Sequence, residues 1–341
     1  MTPNKCAVII TTINSYEDTS IKEYSHSGYD KIIVGDKKTP HDSYMKYQLS
    51  TSKLKLAYIH PDDTRTLFGE LSSLMPYNHY CRKNMGYLYA VKMGYEYIVD
   101  TDDDTYPTLT FDKWRQETTE WKTISGPKFP NVMSFFTDKK IWPRGYPINL
   151  LKQKEVPEYS TSTIFEKQSV GIVQSLVNGE PDVDSICRMT CDDYSDKFTF
   201  DKYKGCVLKE NVFTQGNTQA SIWLNKKLFY LLYVPCTVSF RFCDILKMYI
   251  AQKCMWKYKS LFCYISPIFY QQRNEHDLLE DFDSEHSMHM QTLRVVNEAF
   301  ESVELKGNKY DLYLIYERLA EKEIVKPNEL DIVKEWLKYF D

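Results

Sequence analysis

Along this chain short apolar runs recur, each closed by small polar or acidic residues. Cys6-Ala-Val-Ile-Ile-Thr-Thr12 is rich in β-branched residues and predicts a buried first strand, closing on Thr11, Thr12 and Asn14. Lys31-Ile-Ile-Val-Gly-Asp36 predicts a second strand and Lys53 to His60 a third. Tyr77 to Val91 reads as a helix, with Tyr80, Met85, Leu88 and Val91 on the side facing the sheet. The next run, Tyr97-Ile98-Val99, stops at four carboxylates in five residues: Asp100, Asp102, Asp103 and Asp104. Further strands are predicted at Asn131 to Phe136, Val170 to Val177 and Leu261 to Ile265. Asp182 is placed to cap a short helix in which Asp184 and Arg188 lie one turn apart as an ion pair. Asp244 stands near the start of a long helix reaching about Lys257, and from Asp281 to Asp341 the chain is charged and helical. Strands alternating with helices predict an α/β fold, a Rossmann-like and mostly parallel sheet flanked by helices, with a C-terminal helical extension.

Composition narrows the function classes. A length of 341 residues and 43% hydrophobic content allow one large domain with a sizeable core. A net charge of -4 gives no reason to expect nucleic acid as a partner. No apolar run reaches the ~18 residues of a membrane span, and no signal peptide opens the chain. Nine scattered cysteines without a CxxC pair, and no N-glycosylation sequon, fit free thiols in a reducing compartment. A soluble, cytoplasmic protein is the expectation.

The chemistry concentrates at the acids. Carboxylates packed this closely raise one another's pKa unless a cation removes the penalty, and the carboxyl end of a strand in an α/β sheet is where ligands bind. A solvated acidic turn is the plain alternative. Asp36, ending the second strand, is placed for a ribose or a base. Arg82 and Lys83, early in the helix upstream of the acids, suit a diphosphate better than the helix dipole, which prefers anions there. Trp142-Pro-Arg-Gly-Tyr-Pro147 is a stiff aromatic loop whose Arg144 suits a sugar face. Asp244, among Phe242, Cys243, Ile245 and Leu246, predicts a carboxylate in apolar company, as a general base needs. His276 has the makings of a metal ligand or phosphate contact.

Six blocks carry a resemblance: Leu74 to Leu88, Ile98 to Asp104, Ile141 to Pro147, Gly179 to Thr190, Tyr233 to Ile245 and Arg273 to Phe282. In this order they resemble the STELLO-type glycosyltransferases, with local similarity to exostosin-like transferases at Asp102-Asp-Asp-Thr105 and Cys243-Asp-Ile245. The resemblance implies a GT-A domain over residues 1–290, with 291–341 as the extension outside it. It implies a nucleotide-sugar donor, a UDP-sugar of a hexose or pentose such as glucose or xylose, and a glycan or glycoconjugate hydroxyl as acceptor. It also implies Mn²⁺ or Mg²⁺ at Asp104 and Asp102, with His276 as a further ligand. Donor-binding positions under it are Thr11, Thr12, Asp36, Arg82, Lys83, Asn84, Asp102, Asp103, Arg144, Asp182 and Asp184. Asp244, with Arg241 beside it, is catalytic, and inversion is favoured. The rival expectations are a UDP-sugar mutase on the same fold and a carbohydrate-binding protein with a decayed site.

Overall fold

The computed structural model describes residues 5–26, 29–50, 56–112, 121–152, 158–163, 170–202, 205–273, 277–301 and 303–341. Eleven strands form one sheet. They are β1 (Cys6–Thr12), β2 (Asp30–Gly35), β3 (Leu56–Ile59), β4 (Tyr97–Thr101), β5 (Thr105–Pro107), β6 (Trp121–Gly126), β7 (Glu158–Thr163), β8 (Val170–Gly179), β9 (Gly205–Leu208), β10 (Ala220–Trp223) and β11 (Leu261–Gln271). The order is β3-β2-β1-β4-β10-β8-β11-β9-β6-β7, with β5 paired to β11. The first four strands are parallel, as their buried β-branched runs predict. Beyond β4 the pairing is mixed: β10 runs antiparallel to both β4 and β8, so β8 is again parallel to β4.

Among the described residues nine α-helices accompany the sheet: α1 (His41–Ser50), α2 (Thr64–Leu74), α3 (Lys83–Lys92), α4 (Met133–Phe136), α5 (Ser185–Thr190), α6 (Cys243–Met255), α7 (Leu278–Arg294), α8 (Tyr310–Glu321) and α9 (Glu329–Leu337). Helix α3 lies directly on β1 and β2 because Gly86 has no side chain there; a Cβ would come within 2.7 Å of Ile9 and 2.8 Å of Val34. The stretch 131–136 is the one-turn helix α4, not the expected strand. Asn131 accepts from the Met133 N–H and, through its carbonyl, from Ser134, and this local side-chain capping outcompetes the strand propensity of Phe135 and Phe136.

The C-terminal helices join the main core. Tyr316 and Trp336 are fully buried in the same hydrophobic cluster as Leu246 and Met85, and α7 runs across residue 290. No disulfide joins the cysteines among the described residues. Among the described residues no helix is long and apolar enough to cross a membrane.

Candidate functional site

A cleft of about 670 Å³ opens at the carboxyl ends of the parallel strands. Thr11 and Thr12 from β1, Asp36 after β2 and Asp102 to Asp104 after β4 line it. It is also lined by Arg144, Asp182, Arg188, Arg241, Asp244 and Arg273. Eleven of the predicted site residues therefore meet in one cavity, although they span β1 to α6 in sequence. His276 lies outside the described residues.

Each of the four clustered acids has its own surroundings. Asp100 is fully buried, with Lys83 at 2.8 Å on one oxygen and Lys247 at 2.8 Å and the Tyr87 hydroxyl at 2.7 Å on the other. Asp102 accepts from the Tyr80 hydroxyl and lies 3.2 Å from Lys83; burial still lifts its carboxyl above the ordinary range. Asp103 accepts from Thr12 at 2.5 Å and Asn14 at 3.0 Å, which ties it to the end of β1, and burial again raises it. Among the described residues Asp104 accepts the Gln271 amide, at 3.1 Å to each oxygen, and a weak contact from Thr105. Gln219 donates to the Gln271 carbonyl and so turns the Gln271 amide nitrogen toward Asp104. Burial, and then the charges of Asp102 and Asp103, push the Asp104 carboxyl up to about 7.

A bound cation would offset that charge imbalance. Asp102 and Asp104 offer hard oxygen donors of the kind Mn²⁺ and Mg²⁺ prefer. Among the described residues no three His, Cys, Asp or Glu side chains converge as a ready cage. Two carboxylates completed by substrate phosphate oxygens and water are the usual arrangement for a nucleotide-bound Mg²⁺.

Elsewhere in the cleft, Arg144 spans two acids. Its Nε and Nη2 donate to Asp182 at 2.8 and 2.9 Å, and Nη1 and Nη2 donate to Asp244 at 3.1 and 2.8 Å. The remaining Nη1 proton goes to the Arg241 carbonyl. A guanidinium has five N–H donors, so Arg144 has none left for a substrate and instead fixes the two carboxylates. Burial alone would raise Asp182, but the Arg144 charge and hydrogen bonds bring it below the ordinary value. Gly145, at φ 90°, lets this loop approach α6; a Cβ there would meet Ile245 at 2.5 Å. Asp244 is thus held in a two-point ion pair, not in the apolar company that its sequence neighbours suggest. Those neighbours, Cys243, Ile245 and Leu246, turn into the core.

Several expected contacts lie elsewhere. Lys83 is buried beneath the acids, bonded to Asp100, Asp102 and the Thr101 carbonyl. Asn84 is outside the cleft, its amide paired with both the N–H and the carbonyl of Val234 at 2.8 Å. Arg82 reaches the cleft wall, but its guanidinium donates to Thr64 and Ser72. Asp184, not Asp182, caps α5, accepting from Cys187 at 2.8 Å and from the Trp142 indole at 2.8 Å. Arg188 pairs with Glu180 at 3.5 Å instead of Asp184.

Other cleft residues were missed. Gln219, Gln271 and Thr218 carry no motif that sequence could flag, since their neighbours come from distant strands. Arg273 opens the last of the six blocks and Phe240 lies in the fifth, so both were within reach. Phe240 is 54% exposed over the cleft, its ring 5.6 Å from that of Tyr80. The segment carrying Phe240 and Arg241 is held from behind by Glu329 at the start of α9, which accepts from the Cys236 and Thr237 N–H groups at 2.9 and 2.8 Å and from the Tyr233 hydroxyl.

No protein-family model matches this chain. It is 25% identical over 267 residues to probable glycosyltransferase STELLO1 of Arabidopsis thaliana, covering 73% of this chain and 33% of that protein. It is 26% identical over 246 residues to STELLO2 of the same plant, covering 67% and 31%. The chain thus spans about a third of the length of the curated relatives it matches. Among solved structures, core-mannan synthase A from Aspergillus fumigatus in its Mn/GDP form matches with a TM-score of 0.17 and 14% identity, over 36% of this chain and 42% of that one. Mouse xyloside xylosyltransferase 1 in its apo form matches with 0.19 and 8%, over 36% and 52%. Likenesses this slight carry no argument, and the relationship rests on the sequence matches and on the conjunction of blocks in the cleft. The chain is a distant homologue of the STELLO glycosyltransferases.

Proposed function

We propose that this chain is a cation-dependent glycosyltransferase that moves a sugar from a nucleoside diphosphate donor, a UDP-sugar of a hexose or pentose, to a hydroxyl of a glycan or glycoconjugate. The observation that carries this reading is the meeting, in one cleft, of the crowded Asp102–Asp104 cluster and the pinned carboxylate Asp244. Thr11, Thr12 and Asp36 would seat the nucleoside along the ends of β1 and β2. Asp102 and Asp104 would hold the cation; bound there, it would neutralise the charge that builds on the departing diphosphate.

Asp244 is the proposed base. Each of its oxygens accepts one hydrogen bond from Arg144 and keeps a second lone pair for an incoming hydroxyl. As the acceptor oxygen bonds to the anomeric carbon, its proton passes to Asp244, the anomeric C–O(phosphate) bond breaks, and the nucleoside diphosphate leaves. A single displacement of this kind inverts the anomeric centre. A panel of nucleotide sugars, assayed with Mn²⁺ for transfer and hydrolysis, tests the reading. Asp244→Asn should lower turnover by roughly 10²- to 10⁴-fold while leaving nucleotide affinity intact. Silence of the wild type across the whole panel would overturn it.

A further inference from the structure

The cleft has a second charged end that the donor does not account for. Arg188, Arg241 and Arg273 line it together, each side chain largely buried and paired with acids on the protein side. Arg273 donates to Asp281 at 2.7 Å, Arg241 to Glu285 at 2.6 Å, and Arg188 faces Glu180 at 3.5 Å. Asp281 is shared, lying 3.8 Å from Arg241 as well. Two carboxylates therefore serve the three-nitrogen forks of Arg241 and Arg273 from one side, and the Nε–H of Arg188 is buried with no partner among the described residues. Their mutual repulsion adds to burial in bringing Arg273 down to about 10.

Position in the sheet separates this cluster from the nucleoside end. The cleft runs across the strand order from β2 and β1, through β4 with its acids, to the residues after β8 and β11. Arg188 sits on α5, which follows β8, while Arg273 lies two residues beyond Gln271, the partner of Asp104, so the cluster extends from the acids toward α5. Asp244 is joined to it at Arg241 through Arg144.

We propose that Arg188, Arg241 and Arg273 form an acceptor subsite for an anionic group, so that the acceptor carries a phosphate or a carboxylate close to the hydroxyl that is glycosylated. Guanidinium forks are suited to such groups because they bind them bidentately. This rests on the glycosyl-transfer reading, and the test keeps the two apart.

The wild-type chain is first saturated with UDP and Mn²⁺, then titrated by calorimetry with inorganic phosphate and, separately, with glucuronate. The expected result is binding of at least one of these to the nucleotide-loaded protein. Arg188→Gln and Arg241→Gln should each weaken it about tenfold, the worth of one charge-assisted contact, while UDP affinity moves less than about twofold. The probe that binds more tightly identifies the acceptor's anion. Phosphate displaced by UDP, equal weakening of UDP in both variants, or no binding of either probe would overturn the proposal. Should UDP itself fail to bind, the donor reading falls, and the same titrations on the unloaded protein still decide whether the arginines hold an anion. Thermal melts of both variants separate lost binding from lost folding, and a variant that melts early is replaced by its lysine counterpart, whose retained binding supports the assignment and whose loss of binding with a native melt requires the planar fork.

Discussion

Asp100 and Asp104 stand four residues apart, and the fold treats them in opposite ways. Asp100 is wholly buried and met by two lysines and a tyrosine, so its charge is spent inside the protein. Asp104 is half-buried; among the described residues it accepts the Gln271 amide and a weak contact from Thr105, and two further carboxylates crowd it. Burial penalises both charges, and compensation is what separates them most. The first acid belongs to the architecture, joining β4 to α3 through Lys83 and to α6 through Lys247. The second is left with a deficit that a bound cation would offset.

Substitution should break this comparison most visibly at Asp100. Asp100→Asn would leave Lys247 buried without its paired carboxylate and Lys83 with Asp102 alone, at a cost of about 3–5 kcal/mol, seen as a large drop in the urea midpoint. Asp104→Asn should do the reverse, holding or raising the melting temperature while lowering cation-dependent nucleotide affinity by about 100-fold, roughly 2.7 kcal/mol. Equal destabilisation by the two changes would sink the distinction.

Two other buried acids sharpen it with smaller effects. Glu329 is buried but satisfied by neutral donors, two backbone N–H groups and a hydroxyl. Glu329→Gln replaces one acceptor with an amide facing N–H groups, and should cost about 1–3 kcal/mol; because it holds the segment bearing Phe240 and Arg241, it should raise the acceptor KM more than it alters UDP affinity. Asp184 is the smallest case. Burial pushes its carboxyl up to about 7 despite two neutral hydrogen bonds. A folded-state pKa above the unfolded value gives stability that is whole below about pH 4 and is lost as the pH rises through about 7. Asp184→Asn, which keeps a capping side chain, should flatten the fall in melting temperature across that window. An unchanged slope would mean Asp184 ionises normally.

Much of this arrangement was legible before the fold was known, and the limits are instructive. The β-branched runs located β1, β2 and β4, and an acidic burst ending a buried strand marked the cleft, because local pattern fixes local structure. Sequence also identified Arg144, Asp182 and Asp244 separately. It could not reveal that they form one ion-paired unit, since Asp244 lies 100 residues from Arg144 along the chain. Lys83 and Asn84 were misplaced for a related reason: a helix beside an acidic strand presents two faces, and these residues point to the protein side. The same long-range pairing hid Gln271 and Glu329, whose roles depend on partners 167 and 93 residues away.

Calorimetry of UDP with and without Mn²⁺, on the wild type and on Asp104→Asn, tests the central claim most directly. The account predicts micromolar binding by the wild type that requires the cation, and its loss in a variant that still melts as the wild type does. UDP binding that ignores both the cation and Asp104 would contradict it, leaving the acids after β4 as a solvated turn.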